Sequence, residues 1–294
     1  MAIPIKTLAS GFSLPVYGLG LWQIGGRSDR DTRTDEHNVA AIQTAIDAGV
    51  THIDTAESYG AGHAEELLGQ AIAPYDRSTL IIASKVSAWN QGYDGVMQAF
   101  EASIKRLGTP YLDLYLLRRY PEPGIRIDET MRAMDELVRQ GVVKNIGVCN
   151  MTPNRFDEAQ RHSKHKLVCN EIHYNVQIRE AEAKGVIAHA QANDVMVVAW
   201  RPLQKGFLPQ TQLLEEIGEK YHKTPSQIAI NWLVSQPNVV TIIKTLTPSH
   251  LHENLEAVTF NMDQVDIDRI RHQFPIQHAR SDARPLDYEA DIAP

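Results

Sequence analysis

"LDLYLLRRYPEP", residues 112–123, is a run of leucine and tyrosine that ends in two adjacent arginines and a proline-punctuated turn. A short, nearly continuous apolar run bounded by turn residues reads as a strand buried on both faces, the kind found in parallel sheets. Side chains alternate along a strand, so Leu114, Leu116 and Arg118 share one face while Arg119 takes the other. A permanent charge on the inner face of a buried strand needs a reason, because an unpaired buried charge is costly.

Seven further runs resemble this one: "VYGLGLW" from Val16, "THIDTAE" from Thr51, "LIIASKV" from Leu80, "VKNIGVCN" from Val143, "VCNEIHYN" from Val168, "MVVAWRP" from Met196 and "VVTIIK" from Val239. They recur roughly 25–45 residues apart, the length of one strand plus one crossover helix. The segments between them read as helices. Val39, Ile42 and Ile46 fall on one face, and Thr152-Pro153, Thr224-Pro225 and Thr247-Pro248 each supply an N-cap followed by proline in the first turn. "DETMRAMDELVRQG" is expected to start at a capping Asp128 and stop at Gly141. Eight strand–helix units in series predict a single (β/α)8 TIM barrel over residues 1–294. Two helical patterns before the last strand, near 213–221 and 226–236, make one of them an extra helix. "IKTLASGFSLPVYG" reads as an N-terminal β-hairpin turning at Ser10-Gly11 and plugging the barrel floor. The last 20 residues, from Pro275, have no period and read as a flexible tail or a flap over the site. The alternative, a doubly wound open sheet, is disfavoured because "YGLGLWQIGG" holds no GxGxxG leading into a helix.

Composition narrows the function classes. Hydrophobic residues make up 43% and charged ones 22%, ordinary for a globular chain with a sizeable core. A net charge of −7 argues against nucleic acid or an anionic membrane as partner. Two cysteines, Cys149 and Cys169, make no disulfide framework or zinc site and suit a reducing compartment. No signal-like start and no apolar run of about 18 residues is present, so a cytoplasmic protein is expected, as a monomer or weak oligomer.

In such barrels the working face lies at the carboxyl ends of the strands. Those ends carry Asp54, Lys85, Arg118, Cys149-Asn150, Glu171, Trp200-Arg201 and Lys244-Thr245, with Tyr59 following Asp54 in "TAESYG". Polar groups at one end of nearly every strand define a candidate site.

"HIDTAESYG", "IIASK", "YLDLYLL", "GVVKNIGVCN", "NEIHYN" and "TIIKTLTPSHLHENL" together resemble the aldo-keto reductase superfamily over about residues 5–260. The resemblance implies reduction of aldehydes or ketones by hydride transfer from NADP(H), with NAD(H) a second possibility, and a small carbonyl compound as substrate. It implies that Tyr59 gives the proton, that Lys85 lowers the phenol's pKa, and that Asp54 holds Lys85. Cys149 and Asn150 stand where the family commonly has Ser-Asn holding the nicotinamide carboxamide, Glu171 where it has Gln, and Trp200 where an aromatic stacks on the ring. Lys244 and Thr245 correspond to the grip on the 2′-phosphate, Glu253 and Asn254 to adenine recognition, and His250 replaces the usual Arg. The rest of the dinucleotide path is implied to run past Gly20, Leu21, Trp22, Arg201, Pro202, Leu203, Lys205, Gly206 and Leu246.

One departure bears on activity: where the family ends strand four in His, this chain has Arg118. Arginine gives up no proton near neutral pH but makes charge-assisted hydrogen bonds to a carbonyl or a carboxylate. Arg118 is therefore expected either to pair with Asp54 or a loop carboxylate, or to make Tyr59 still more acidic, favour anionic or polarised carbonyls and slow plain aldehydes. Two other readings stay open: a nicotinamide-binding sensor with little turnover, and a lyase or isomerase using the Lys85 amine as a Schiff base. The loops "QIGGRSDRDTRTDEH" and "VSAWNQGYDG" and the tail are expected to choose the substrate, with Trp22 and Trp89 as candidate pocket walls.

Overall fold

A computed structural model describes residues 2–206, 211–276, 280–283, 285 and 286. Ten strands follow in chain order: β1 (Ile5–Thr7), β2 (Ser13–Pro15), β3 (Tyr17–Gly20), β4 (His52–Asp54), β5 (Ile81–Val86), β6 (Leu112–Leu117), β7 (Val143–Cys149), β8 (Leu167–His173), β9 (Met196–Trp200) and β10 (Val239–Ile243). β3 to β10 are the eight expected runs, and they close into an all-parallel barrel with β10 returning to β3. Helices cover its outside: α1 (Asp35–Asp47), α2 (His63–Ile72), α3 (Tyr93–Leu107), α4 (Ile127–Arg139), α5 (Pro153–Arg161), a short α6 (Glu180–Ala183) with α7 (Val186–Ala192), α8 (Gln212–Tyr221), α9 (Pro225–Val234), α10 (Pro248–Glu256) and α11 (Gln264–Gln273).

Strand alternation separates two layers of core. Leu114 and Leu116 point inward with Ala83, Val168, Met196, Val198 and Val240, whereas Tyr115 and Leu117 join the layer between strands and helices. All six residues of β6 are buried, as a strand covered on both faces requires. β1 and β2 pair antiparallel around Gly11, which takes a left-handed φ of 91°, and Leu8 and Leu14 of this hairpin close the inner layer from below.

The expected helix signals hold with two corrections. Thr152, Thr224 and Thr247 are N-caps with proline behind them, and Thr224 forms a reciprocal capping box with Gln227. α4, however, begins two residues earlier than expected, with Arg126 at its N-cap; Asp128 sits in the first turn, where its carboxylate pairs with the Arg126 guanidinium. Its end is as expected, Gly141 turning the chain at a φ of 73°. The buried stripe of α1 is Asn38, Ala41, Ile42 and Ala45, leaving Val39 and Ile46 at its partly buried edges.

Candidate active site at the carboxyl end of the barrel

A cavity of about 870 Å3 opens at the carboxyl ends of the strands. Asp54, Tyr59, Lys85, Arg118, Cys149, Asn150, Glu171 and Trp200 all line it, together with Gly20, Trp22, Arg201, Pro202, Leu203, Lys205, Gly206, Lys244, Thr245, Leu246, His250, Glu253 and Asn254. Leu21 is the exception: fully buried, it turns away from the cavity and its backbone N–H donates to the Asp54 carbonyl at 2.9 Å. Trp89 is also absent from the lining and 55% exposed, so of the two expected tryptophan walls only Trp22 is in place. Gln23, Ser226, Ile242, Ile243 and Ala283 line the cavity without having been expected.

The polar centre is built from neighbouring strand ends. Lys85, from β5, donates from Nζ to Asp54 Oδ1 of β4 and to the Thr55 carbonyl at 3.0 Å. Glu171 Oε2, from β8, lies 3.3 Å from the same Nζ but has no hydrogen-bond partner. Burial pulls the Lys85 ammonium toward neutrality, but Asp54 and Glu171 together push its pKa well above the ordinary lysine range. An amine held as an ammonium is a poor nucleophile, which counts against a Schiff-base mechanism. Two carboxyls crowd that one ammonium. Burial, opposed by Lys85, raises Asp54, while burial reinforced by the Asp54 charge pushes Glu171 up to about 8. This crowding favours keeping a proton on the pair, at Glu171 first.

Tyr59 begins a tight turn, Tyr59–Gly62, in which Gly60, Ala61 and Gly62 all take left-handed φ values. Gly60 passes so close to the preceding loop that a Cβ there would stand 2.3 Å from the Gly25 carbonyl oxygen, and its N–H donates to the Arg27 carbonyl at 2.9 Å. This packing sets the ring between two cations, Lys85 Nζ at 5.4 Å and Arg118 Cζ at 5.5 Å from its centre. The expected acidification of Tyr59 is overturned. Burial raises its pKa first, Lys85 and Arg118 pull down, and Asp54 and Glu171 push up, leaving it above the ordinary phenol value. Desolvation, the largest of these effects, decides the sign. Tyr59 keeps its proton at neutral pH.

Arg118 follows β6 directly, its N–H donating to the Val86 carbonyl at 3.0 Å, and its side chain faces the cavity. Arg119 turns to the other side and pairs with Glu122. Neither of the pairings expected as alternatives for Arg118 is made among the described residues. Asn150, held at a left-handed φ of 57°, donates from Nδ2 to the Arg118 carbonyl at 3.3 Å and accepts from Trp200 Nε1 at 3.2 Å. One face of Trp200 is covered by His173, stacked at 4.3 Å and 13°. At the far end of the cavity Lys244 Nζ donates to Gln23 Oε1 at 3.0 Å, with burial and the Arg27 charge lowering its pKa. Asn254 donates to Thr245 Oγ1 at 3.0 Å.

Parts of the tail dock at this mouth. Ser281 Oγ lies 2.7 Å from His173 Nδ1, the Ser281 and Leu286 N–H groups donate to Glu180 at 3.0 Å, and Asp282 pairs with Arg201 at 3.3 Å. Residues 277–279, 284 and 287–294 of the expected flap lie outside the described residues. Among the described residues no group of His, Cys, Asp and Glu side chains is arranged to hold a metal, and no helix is long and apolar enough to cross a membrane.

The Aldo/keto reductase family model matches residues 17–273. Methylglyoxal reductase DkgA of Escherichia coli (strain K12) is 32% identical over 279 residues, 92% of this chain and 94% of that protein. The thermostable aldo-keto reductase Tm1743, solved with the inhibitor epalrestat, is similar with a TM-score of 0.88 and 40% identity over 91% of this chain and 98% of that one. An aldo/keto reductase from Klebsiella pneumoniae, solved with NADP and acetate, is similar with a TM-score of 0.83 and 29% identity over 93% of this chain and 96% of that one.

Proposed function

The chain belongs to the aldo/keto reductase family, and on that premise we propose that it reduces small aldehydes and ketones to alcohols with NADPH, Tyr59 giving the proton. The observation that carries the reading is the Tyr59 phenol on the cavity wall, with Lys85 and Arg118 both beside its ring. A developing alkoxide needs a proton donor and positive charge nearby, and both are prearranged here.

The residues also fit the cofactor. Glu171 Oε2 is a buried polar atom without a hydrogen-bond partner at the cavity wall, and a protonated carboxyl there offers a donor and an acceptor, as a glutamine would. Glu171, Asn150 and the Cys149 thiol would hold the carboxamide end, with Trp200 beside the ring. Burial pushes the Cys149 thiol up, so it acts as a weak neutral partner and not as a thiolate. Lys244 and Thr245, ahead of the N-terminus of α10, would take the 2′-phosphate, which favours NADP(H) over NAD(H). When bound, the dinucleotide supplies hydride. The chain's own part is to exclude water, to keep Lys85 charged through Asp54 and to hold the transferable proton on Tyr59 Oη.

Methylglyoxal, the substrate in the name of one relative, is a fitting first compound beside propanal. NADPH oxidation should follow addition of either, in proportion to protein. If NADPH binds but none of a panel of neutral and anionic aldehydes and ketones is reduced, the sensor reading takes its place.

A further inference from the structure

We propose that Arg118 is a carboxylate-binding residue and that the preferred substrates are 2-oxo acids, compounds with a carboxylate on the carbon next to the carbonyl. This rests on the reductase reading above and adds to it the identity of the substrate class.

The first argument is the state of the Arg118 side chain. Other arginines that reach inward are matched: Arg77 with Asp113, Arg106 with Glu65 and Arg179 with Glu182. Arg118 is half-buried on the cavity wall, and among the described residues its guanidinium has neither an ion pair nor a hydrogen bond. Its backbone is hydrogen-bonded, and its guanidinium meets the Tyr59 ring but no anion among the described residues. A half-buried cation without a partner is costly in the empty protein and becomes favourable when a ligand brings the anion.

The second argument is the local charge. Asp54 and Glu171 are both committed to Lys85, which leaves the Arg118 guanidinium without a carboxylate of its own among the described residues at the centre. Another arginine at the mouth, Arg201, is already paired with Asp282.

The third argument is placement. The guanidinium and the Lys85 ammonium stand almost equally far from the Tyr59 ring, at 5.5 and 5.4 Å. A group seated against the Tyr59 phenol occupies the same cavity whose wall the guanidinium lines. In a 2-oxo acid one carbon–carbon bond separates carbonyl from carboxylate, so one small molecule meets both. The planar fork of arginine matches a carboxylate with two parallel hydrogen bonds, which lysine or histidine cannot do.

The reaction is then a two-electron reduction. The carbonyl carbon of the 2-oxo acid gains hydride from the reduced nicotinamide dinucleotide, the C=O π pair moves to oxygen, and that oxygen takes the Tyr59 proton. The products are a 2-hydroxy acid and the oxidised dinucleotide, and solvent reprotonates the phenolate.

The test uses pyruvate and methyl pyruvate, which share a carbonyl and differ in the charge, and oxamate, a 2-oxo acid analogue that is not reduced. In the wild-type protein kcat/KM for pyruvate should exceed that for methyl pyruvate. In Arg118→Met that ratio should fall by about tenfold or more, and oxamate binding to the protein with NADP present, measured by calorimetry, should weaken to the same extent. Arg118→Lys should recover part of the oxamate affinity, and NADPH binding by each variant reports that the fold survives. Equal oxamate binding by wild type and Arg118→Met, with methyl pyruvate still reduced by the wild type, overturns the carboxylate site and leaves the reductase reading intact. Reduction of neither ester nor acid, with oxamate binding still dependent on Arg118, overturns the reductase reading and with it the 2-oxo acid as substrate.

Discussion

At the amino end of the barrel, Lys6 of the hairpin donates to the carbonyl oxygens of Val234, Gln236 and Val239. Asp194 there accepts from Lys166 and from the N–H groups of Ala9 and Ser10, and Asp113 is held by Arg77 and Lys144. Burial keeps His52, at the start of β4, neutral, with a pKa pushed down to about 4. At the carboxyl end one ammonium is shared by two carboxyls, and among the described residues Glu171 Oε2 has no hydrogen-bond partner and the Arg118 guanidinium has no anion. Both ends bury charge under the same barrel. Charges matched by protein partners hold the floor shut, and in the proposal above the charges at the mouth are matched by what binds there.

The largest effect separating the two ends should come from Tyr59→Phe. It removes a proton and little contact area, so reduction of methylglyoxal should fall by about 100-fold or more while the NADPH dissociation constant changes little. Turnover above roughly a tenth of wild type would mean that another group supplies the proton. At the floor, Lys6→Met removes the donor from three carbonyls and should cost about 2 kcal/mol of unfolding free energy, with kcat/KM unchanged at a temperature where the variant is folded. A loss of activity without loss of stability would contradict the division between the ends. Lys244→Met should weaken NADPH by about tenfold, or ~1.4 kcal/mol, and NADH far less. An equal loss for both would place Lys244 on some other part of the dinucleotide.

Glu171 gives a smaller effect with a defined pH window. Its carboxyl is pushed up to about 8 in the folded protein from an ordinary 4.5. The folded state therefore binds more protons than the unfolded one between those values. The stability linked to Glu171 is complete below 4.5 and is lost as pH rises to about 8. Glu171→Gln cannot ionise, so its melting temperature relative to wild type should climb over that range, by on the order of 2 kcal/mol in stability. A difference that does not vary with pH would show that Glu171 is not protonated in the folded protein.

Much of this contrast was legible in the residues. The eight apolar runs mark the eight barrel strands, and the alternation of Leu114, Leu116 and Arg118 predicts which arginine faces the cavity. Asp54, Tyr59 and Lys85 stand in recognisable register, and they meet as that register implies. What escaped the sequence has physical causes. Gln23 reaches Lys244 from an irregular loop, and Ala283 belongs to a tail without period, so nothing local marks either as part of the cavity. Ser226 follows an N-cap whose place beside the mouth depends on how α9 packs. The sign of the Tyr59 shift was misjudged because a sequence displays neighbouring charges but not how completely a ring is buried; burial outweighs both cations. Asp128 failed as a cap because the paired Arg126 before it takes that position.

The central claim is that the unmatched charge at position 118 determines which carbonyl compounds the mouth accepts. Arg118→His tests it most directly, measured on one neutral aldehyde, propanal, and one 2-oxo acid, pyruvate. A neutral, smaller donor should raise kcat/KM on propanal by ten- to a hundred-fold, about 1–3 kcal/mol of barrier, and lower it on pyruvate. A fall on both compounds would show that arginine is needed for the reduction itself, and a rise on both would show that its charge selects nothing.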